Sequence, residues 1–136
     1  AFISNVAMVP LLIVANPSFA ASTPGALIEM ARARPGGIDM ASAGPATSQH
    51  LAAELLAHRT GVRFNIVHYR GSGPAMADLI AGTVPVMFDS VAAARGNIAG
   101  GRVKPIALAT ARRIPQLPEV PTLAETVSPG YEAAGW

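Results

Sequence analysis

The chain of 136 residues contains no cysteine. This excludes disulfides, cysteine nucleophiles, thiolate metal sites and iron–sulfur clusters. It does not identify a cellular compartment, because proteins of oxidising compartments can also lack cysteine.

Charged residues are scarce as well. They make up 13% of the chain, against about 25% in an ordinary globular domain. The net charge is only +2 and the basic residues form no long run, so we predict that the chain does not bind nucleic acid. Hydrophobic residues make up 51%, which excludes a disordered chain. The length suits one domain of about 100–200 residues.

The sequence offers no segment typical of a membrane-spanning helix or of a signal peptide. Residues 1–19 are mostly apolar, but they include Pro10, Asn16 and Pro17, and no charged residues lead them. Because the chain starts without methionine and stops at Trp136, we expect it to be a piece of a longer protein.

Apolar runs and helix signals alternate about five times along the chain. Thr23 before Pro24 marks one helix start, and Thr122 and Glu125 have the spacing of a capping box. This alternation predicts a single α/β domain with a mainly parallel sheet flanked by helices. Strands are predicted at 6–15, 38–42, 65–69, 84–88 and 105–110, and helices at 23–34, 47–58, 75–81, 91–98 and from 122. Residues 131–136 are predicted to be extended.

The most informative segment is the one that joins the second predicted strand to the next helix. In an open α/β sheet the carboxyl ends of the strands form the ligand-binding edge, and the first amides of a helix attract anions. Gly44 and Ala46 leave room for an anion near the backbone, and Thr47 and Ser48 add hydroxyl donors. These residues predict a carboxylate or phosphate site. The alternative is that Thr47 or Ser48 only caps its own helix.

Two further strand ends carry polar residues. The segment after the third strand contains Tyr69, Ser72 and two glycines, and it is neither a dinucleotide fingerprint nor a Walker A loop. The alternative for this segment is a packed turn with Arg70 exposed. Asp89 ends the fourth predicted strand, where it would either contact a hydroxyl or amine of a ligand or cap the next helix.

The histidines do not form a recognisable metal or catalytic site. His50 and His58 are separated by two helical turns, or about 12 Å, and no metalloprotease spacing occurs. A catalytic triad of Ser48, His50 and Asp89 is conceivable. However, Ser48 and His50 are two residues apart, and residues at that spacing on a helix do not face each other. No G-x-S-x-G elbow is present. We therefore predict no metal, no cofactor and no enzymatic activity.

Four ordered motifs carry a resemblance to a known family. Residues 42–54 resemble the motif SAGxGTSQHLAAE, and residues 68–75 contain a match to YxGSxPA. Residues 87–89 match MFD, and residues 117–125 match LPxVPTxxE, followed by PGYE at 129–132. In these segments the chain resembles the Bug (TctC-type) periplasmic solute-binding proteins of tripartite tricarboxylate transporters.

The resemblance implies a type 2 periplasmic-binding-protein fold with two lobes, of which this chain would be the second. The first lobe and the C-terminal helices would lie outside the chain. One departure from the family pattern is Ala46, which stands where glycine is usual, so its methyl group would narrow the loop. Carried over by position, the ligand-binding residues would be Ser42, Gly44, Ala46, Thr47, Ser48, Tyr69, Ser72 and Asp89.

The resemblance also implies a function. We expect a periplasmic protein that captures a small mono-, di- or tricarboxylate between its lobes and delivers it to transmembrane transporter subunits. The alternative is the effector-sensing lobe of a transcription regulator, which has the same two-lobed fold. The isolated lobe would expose cleft and hinge surfaces, which favours dimerisation.

Overall fold

The computed structural model describes residues 9–45 and 47–135, with side chains through residue 133. Within these residues the chain forms six strands and four helices. In chain order they are β1 (Val9–Ala15), α1 (Pro24–Ala33), β2 (Asp39–Ser42), α2 (Ser48–Thr60), β3 (Asn65–His68), α3 (Ser72–Ala81), β4 (Val86–Ser90), α4 (Val91–Ala99), β5 (Lys104–Leu108) and β6 (Ala134–Gly135).

The strands form one mixed sheet in the order β3-β2-β4-β1-β5, and β6 adds to β1. Strand β2 is parallel to β3 and β4, whereas β1 is antiparallel to β4 and β5. Strands β2 to β5 therefore run in one direction, as the predicted mainly parallel sheet requires, and β1 runs against them. The alternation of strands and helices predicts the shared direction of β2 to β5, but it does not predict that β1 runs against them, which its pairing with β4 and β5 shows.

Strand β1 lies inside the sheet, between β4 and β5, and side chains cover it on both faces. Its residues from Leu11 to Ala15 are buried. Ile13 packs on the face of the sheet that contains Phe88, and Val14 packs on the opposite face with Met87. A strand covered on both faces has a continuous apolar run as its sequence pattern, which is why the sequence predicted it so clearly.

Local signals explain the ends of the helices. Thr23 caps α1 by accepting a hydrogen bond of 3.2 Å from the amide of Ala26, and Pro24 follows at the first helical position. Gly82 ends α3 with a φ of 86°, a left-handed conformation that glycine adopts without strain. Helix α3 begins at Ser72, three residues before its predicted start.

The helix predicted from Thr122 is wrong. The capping box does form, because the amide of Thr122 donates to Oε1 of Glu125 at 2.9 Å and the amide of Glu125 donates to Oγ1 of Thr122 at 3.0 Å. The amide of Val127 bonds back to Leu123, but Pro129 follows closely. Since proline cannot donate a helical hydrogen bond, the segment remains a turn. None of the helices among residues 9–45 and 47–135 is long and apolar enough to cross a bilayer.

Candidate functional site

A cleft of about 410 Å³ lies where β2, β3 and β4 lead into α2, α3 and α4. Because these three strands run in one direction, their carboxyl ends meet at one edge of the sheet, as in other ligand-binding α/β sheets. Strand β1 supplies an apolar wall to the same cleft. The lining residues are Val9, Leu11, Ala43, Thr47, Ser48, Gln49, Gly71, Ser72 and Ser90.

Three of the predicted site residues line this cleft: Thr47, Ser48 and Ser72. The first two open α2, and Ser72 opens α3. Gln49 joins the two helix starts, since its Nε2 lies 3.3 Å from Oγ of Ser72. The structure thus brings together two segments that are 23 residues apart in the sequence.

Thr47 caps its own helix, as one of the two sequence alternatives states, and it also lines the cleft. Its Oγ1 accepts a hydrogen bond of 3.3 Å from the amide of His50, so it caps α2. The same oxygen donates its hydrogen to the carbonyl of Gly44 at 2.7 Å. Thr47 therefore closes the loop onto the helix start and also forms part of the cleft wall.

Ser42 and Gly44 support the loop and do not line the cleft. The side chain of Ser42 is fully buried, and its Oγ lies 2.7 Å from Nδ1 of His68. The amide of Gly44 donates to the same oxygen at 3.0 Å. Gly44 has a φ of 141°, and a Cβ there would lie 3.5 Å from the carbonyl oxygen of Tyr69. Direct ligand contact by Ser42 and Gly44 therefore stays a prediction.

Tyr69 also lies outside the cleft lining. Its hydroxyl donates to Oδ2 of Asp78 at 2.8 Å, which ties the end of β3 to α3. Burial and this hydrogen bond raise the pKa of the Tyr69 hydroxyl. Ala46, also a predicted site residue, lies outside the described residues.

Asp89 is buried beneath the cleft, with 1% of its surface exposed. It lies within β4, which continues to Ser90, so it does not end the strand as predicted. Its Oδ1 accepts a hydrogen bond of 2.8 Å from the amide of Ser90. Burial raises the pKa of the Asp89 carboxyl, and the hydrogen bond from the amide of Ser90 and the polar side chains of Ser72 and Gln49 oppose that rise.

The helix cap that the sequence offered as one of two roles for Asp89 belongs instead to the next residue, Ser90. Oγ of Ser90 accepts a hydrogen bond of 3.1 Å from the amide of Ala93 and so caps α4. Sequence reasoning did not single out Ser90 or Gln49. Gln49 follows Thr47 and Ser48 at a helix start, which could have suggested it, but its reach to α3 depends on the fold.

The histidines have structural contacts. The rings of His50 and His68 meet edge to face, with their centroids 4.7 Å apart. Nε2 of His50 lies 3.9 Å from a carboxylate oxygen of Glu54. Across the part of the chain that the structure describes, no group of three histidine or acidic side chains is placed to hold a metal ion.

Comparison with known proteins identifies relatives along the whole chain. The family model described as TctC, the tripartite tricarboxylate transporter family receptor, matches residues 1–136. A UPF0065 protein from the tcbD–tcbE intergenic region of Pseudomonas sp. (strain P51) is 50% identical over 111 residues, which cover 81% of this chain and 33% of that protein.

Solved structures resemble the fold closely. The protein Rpa4515 of R. palustris, solved with adipate, has a TM-score of 0.91 and 36% identity, over 96% of this chain and 44% of that one. The periplasmic binding protein BugD has a TM-score of 0.87 and 32% identity, over 94% of this chain and 43% of that one. MatC from Rhodopseudomonas palustris, solved with malate, has a TM-score of 0.87 and 27% identity, over 94% of this chain and 44% of that one. The chain thus spans less than half the length of these proteins.

Proposed function

Because the chain belongs to the TctC family of tripartite tricarboxylate transporter receptors, we propose that it is part of a solute-binding protein that captures small carboxylates. The observation that carries the proposal is the cleft between the starts of α2 and α3, lined by Thr47, Ser48 and Ser72. Support comes from relatives of the same fold that were solved with adipate and with malate.

The chemistry of the cleft suits an anion. The first amides of a helix have no partner within the helix and carry partial positive charge. Two helices, α2 with 13 residues and α3 with 10, begin at the cleft. Gly71, the residue before α3, makes no side-chain cap hydrogen bond, and its lack of a side chain permits close approach to the backbone. A carboxylate that approaches these amides would be held mainly by the backbone.

The chain would form one wall of the binding site, as the second lobe of a two-lobed protein. A charge-assisted hydrogen bond contributes about 1.5–3 kcal/mol, so two or three on each lobe could supply the roughly 8 kcal/mol of micromolar binding. One lobe alone has half of these contacts and cannot close over the ligand to exclude water. We expect the isolated chain to bind carboxylates weakly and to be prone to dimerise through its uncovered surfaces.

The role in transport follows from this arrangement. The protein would act in the periplasm without a cofactor or a catalytic step. Hinge closure around the carboxylate would create the form that docks on the transmembrane transporter subunits. No observation within the described residues favours the alternative of an effector lobe in a transcription regulator.

The proposal is tested by a thermal-shift screen of the protein expressed from its complete gene. The screen would include mono-, di- and tricarboxylates, amino acids and neutral sugars. Binding to the folded state raises the unfolding midpoint by mass action, so we expect a shift with one or more compounds that carry a carboxylate and none with the neutral sugars. The shift should shrink in Thr47→Ala and Ser72→Ala. A shift with sugars only, or with none of the compounds, would contradict the proposal.

A further inference from the structure

Helices α2 and α3 lie on opposite faces of the sheet. Ala53 and Leu56 of α2 pack in the core that contains Phe88, whereas Ala75 and Leu79 of α3 pack in the core on the other face. Because the sheet separates the bodies of the two helices, packing between them does not set the distance between their starts. The starts approach each other across the edge of the sheet, at the cleft.

The start of α2 has two backbone amides to offer. The first four amides of a helix have no partner within the helix. In α2 the amide of Thr47 donates to the carbonyl of Gly44 at 3.3 Å, and the amide of His50 donates to Oγ1 of Thr47 at 3.3 Å. Within the described part of this loop, the amides of Ser48 and Gln49 are left for a ligand.

The start of α3 offers two amides as well. The amide of Gly71 donates to the carbonyl of Ala43 at 2.9 Å, and Pro74 has no amide hydrogen. Among the described residues, the amides of Ser72 and Gly73 remain. A carboxylate has two oxygens with about four acceptor positions. One carboxylate can therefore bind both pairs of amides, provided that the two helix starts lie at a suitable distance.

The side chain of Gln49 spans that distance. Its Nε2 donates to Oγ of Ser72 at 3.3 Å, and its Oε1 accepts from the hydroxyl of Ser48 at 3.2 Å. The amide group of this half-buried side chain is thus bonded at both ends, and Gln49 lines the cleft. The backbone bond from Gly71 to Ala43 joins the loops before the helices, whereas the bond from Gln49 joins the helices themselves.

We propose that Gln49 is a positioning residue, whose bond to Ser72 holds the starts of α2 and α3 at the distance where one ligand carboxylate binds amides of both. The inference rests on the proposed function and adds a residue that sets its affinity. Without this bond, the two helix starts would have to be ordered when the ligand binds. Ordering on binding costs free energy, so the affinity for carboxylates would fall.

The test is calorimetric titration of the protein from its complete gene with succinate, malate, adipate and citrate. In Gln49→Met the side chain keeps a similar length and helix propensity but cannot donate to Ser72. We expect the acid that binds the unaltered protein to bind this variant about two- to tenfold more weakly, the effect of one net hydrogen bond. The matched control is Gln116→Met, the same change at an exposed side chain outside the cleft lining, and it should leave the affinity unchanged.

A double-mutant cycle separates positioning from direct contact with the ligand. Ser72→Ala removes the acceptor of the Gln49 bond. If Gln49 acts through Ser72, Gln49→Met should have a much smaller effect on affinity in the Ser72→Ala protein than in the unaltered one. If Gln49 contacts the ligand directly, the effect should be the same in both. A purely structural role would lower the unfolding midpoint without ligand and leave the affinity of the folded protein unchanged.

A second variant tests the reach of the side chain. Gln49→Asn keeps the amide group but shortens the side chain by one carbon, so it should also weaken binding. Two outcomes would overturn the inference alone. The first is full affinity in folded Gln49→Met and Gln49→Asn, and the second is an equal loss with and without the Ser72 hydroxyl. If neither these acids nor any other carboxylate of the thermal-shift screen binds, the proposed function fails and this inference fails with it.

Discussion

Oγ of Ser42 lies 2.7 Å from Nδ1 of His68, across the parallel pair β2 and β3 in which these two residues face each other in register. The same oxygen accepts the amide hydrogen of Gly44. Ser42 thus holds the loop after β2 in place from within the protein, at the back of the cleft that Thr47 lines.

This contact predicts a loss of stability in Ser42→Ala. The change leaves the buried amide of Gly44 without its acceptor, which costs about 1–3 kcal/mol in the free energy of unfolding. Urea unfolding of the two proteins measures this difference. Ser22→Ala is the matched control, since Ser22 is exposed and bonds Lys104 at the surface. It should change the free energy by no more than about 0.5 kcal/mol. Equal effects of the two variants would contradict the role of Ser42.

The two threonine caps provide a matched test of the cleft. Thr47 caps α2 beside the cleft, and Thr23 caps α1 away from it. Each change to alanine should lower the free energy of unfolding by about 1 kcal/mol. Only Thr47→Ala should also weaken carboxylate binding, as measured by calorimetry. If Thr23→Ala weakens binding by the same factor, the loss is a general effect of reduced stability.

A pH-dependent contribution to stability is predicted at the surface pair of Arg113 and Glu125. Nε of Arg113 lies 2.8 Å from Oε1 of Glu125. That contact, with the amide of Thr122, lowers the pKa of Glu125 from 4.5 to about 2. A lowered acid pKa stabilises the folded state above the ordinary pKa, and the effect disappears as pH falls through the folded value. The pair is exposed, so we expect a small contribution.

Glu125→Gln provides the comparison for this pair. The difference in the free energy of unfolding between the two proteins should be constant above about pH 5 and should decline between pH 4.5 and 2, the window set by the lowered pKa. Chemical unfolding at a series of pH values measures it. A difference that does not change across this window would show that the pair does not act through the charge of Glu125.

Tyr131 connects the C-terminal segment to α2. Its hydroxyl donates to the carbonyl of Ala52 at 2.7 Å, and its ring is buried. Burial raises the pKa of this hydroxyl. Tyr131→Phe should cost about 0.5–1.5 kcal/mol in the free energy of unfolding, the value of one hydrogen bond. Tyr131→Ala should cost about 3–5 kcal/mol, because it also leaves a cavity. Equal losses in the two variants would contradict the separate contribution of the ring.

Helix starts and buried strands depend on residues that are close in the sequence, so they could be predicted from it. Thr23 and Pro24 fix the start of α1, and the apolar run of β1 predicts a strand buried on both faces. The turn at Thr122 shows the limit of such signals. Its capping box forms as the spacing requires, but a helix continues only where the next residues can donate helical hydrogen bonds, and here Pro129 is close by.

The site was predictable to the extent that it lies at strand ends. Thr47, Ser48 and Ser72 could be assigned to one edge because parallel strands end together. The burial of Ser42 and Asp89 could not be predicted, because it depends on which strands are neighbours and on how α3 covers the sheet. The contact from Gln49 to Ser72 joins two helices, and no local pattern specifies it.

Hydrogen exchange of the protein from its complete gene, with and without a saturating carboxylate, tests the central claim most directly. If the carboxylate binds the backbone at the starts of α2 and α3, peptides covering residues 43–50 and 70–76 should be protected most strongly within this chain. The loop around residues 100–103, at the opposite edge of the sheet, should be unchanged. Binding that protects that loop and leaves both helix starts unchanged would contradict the account.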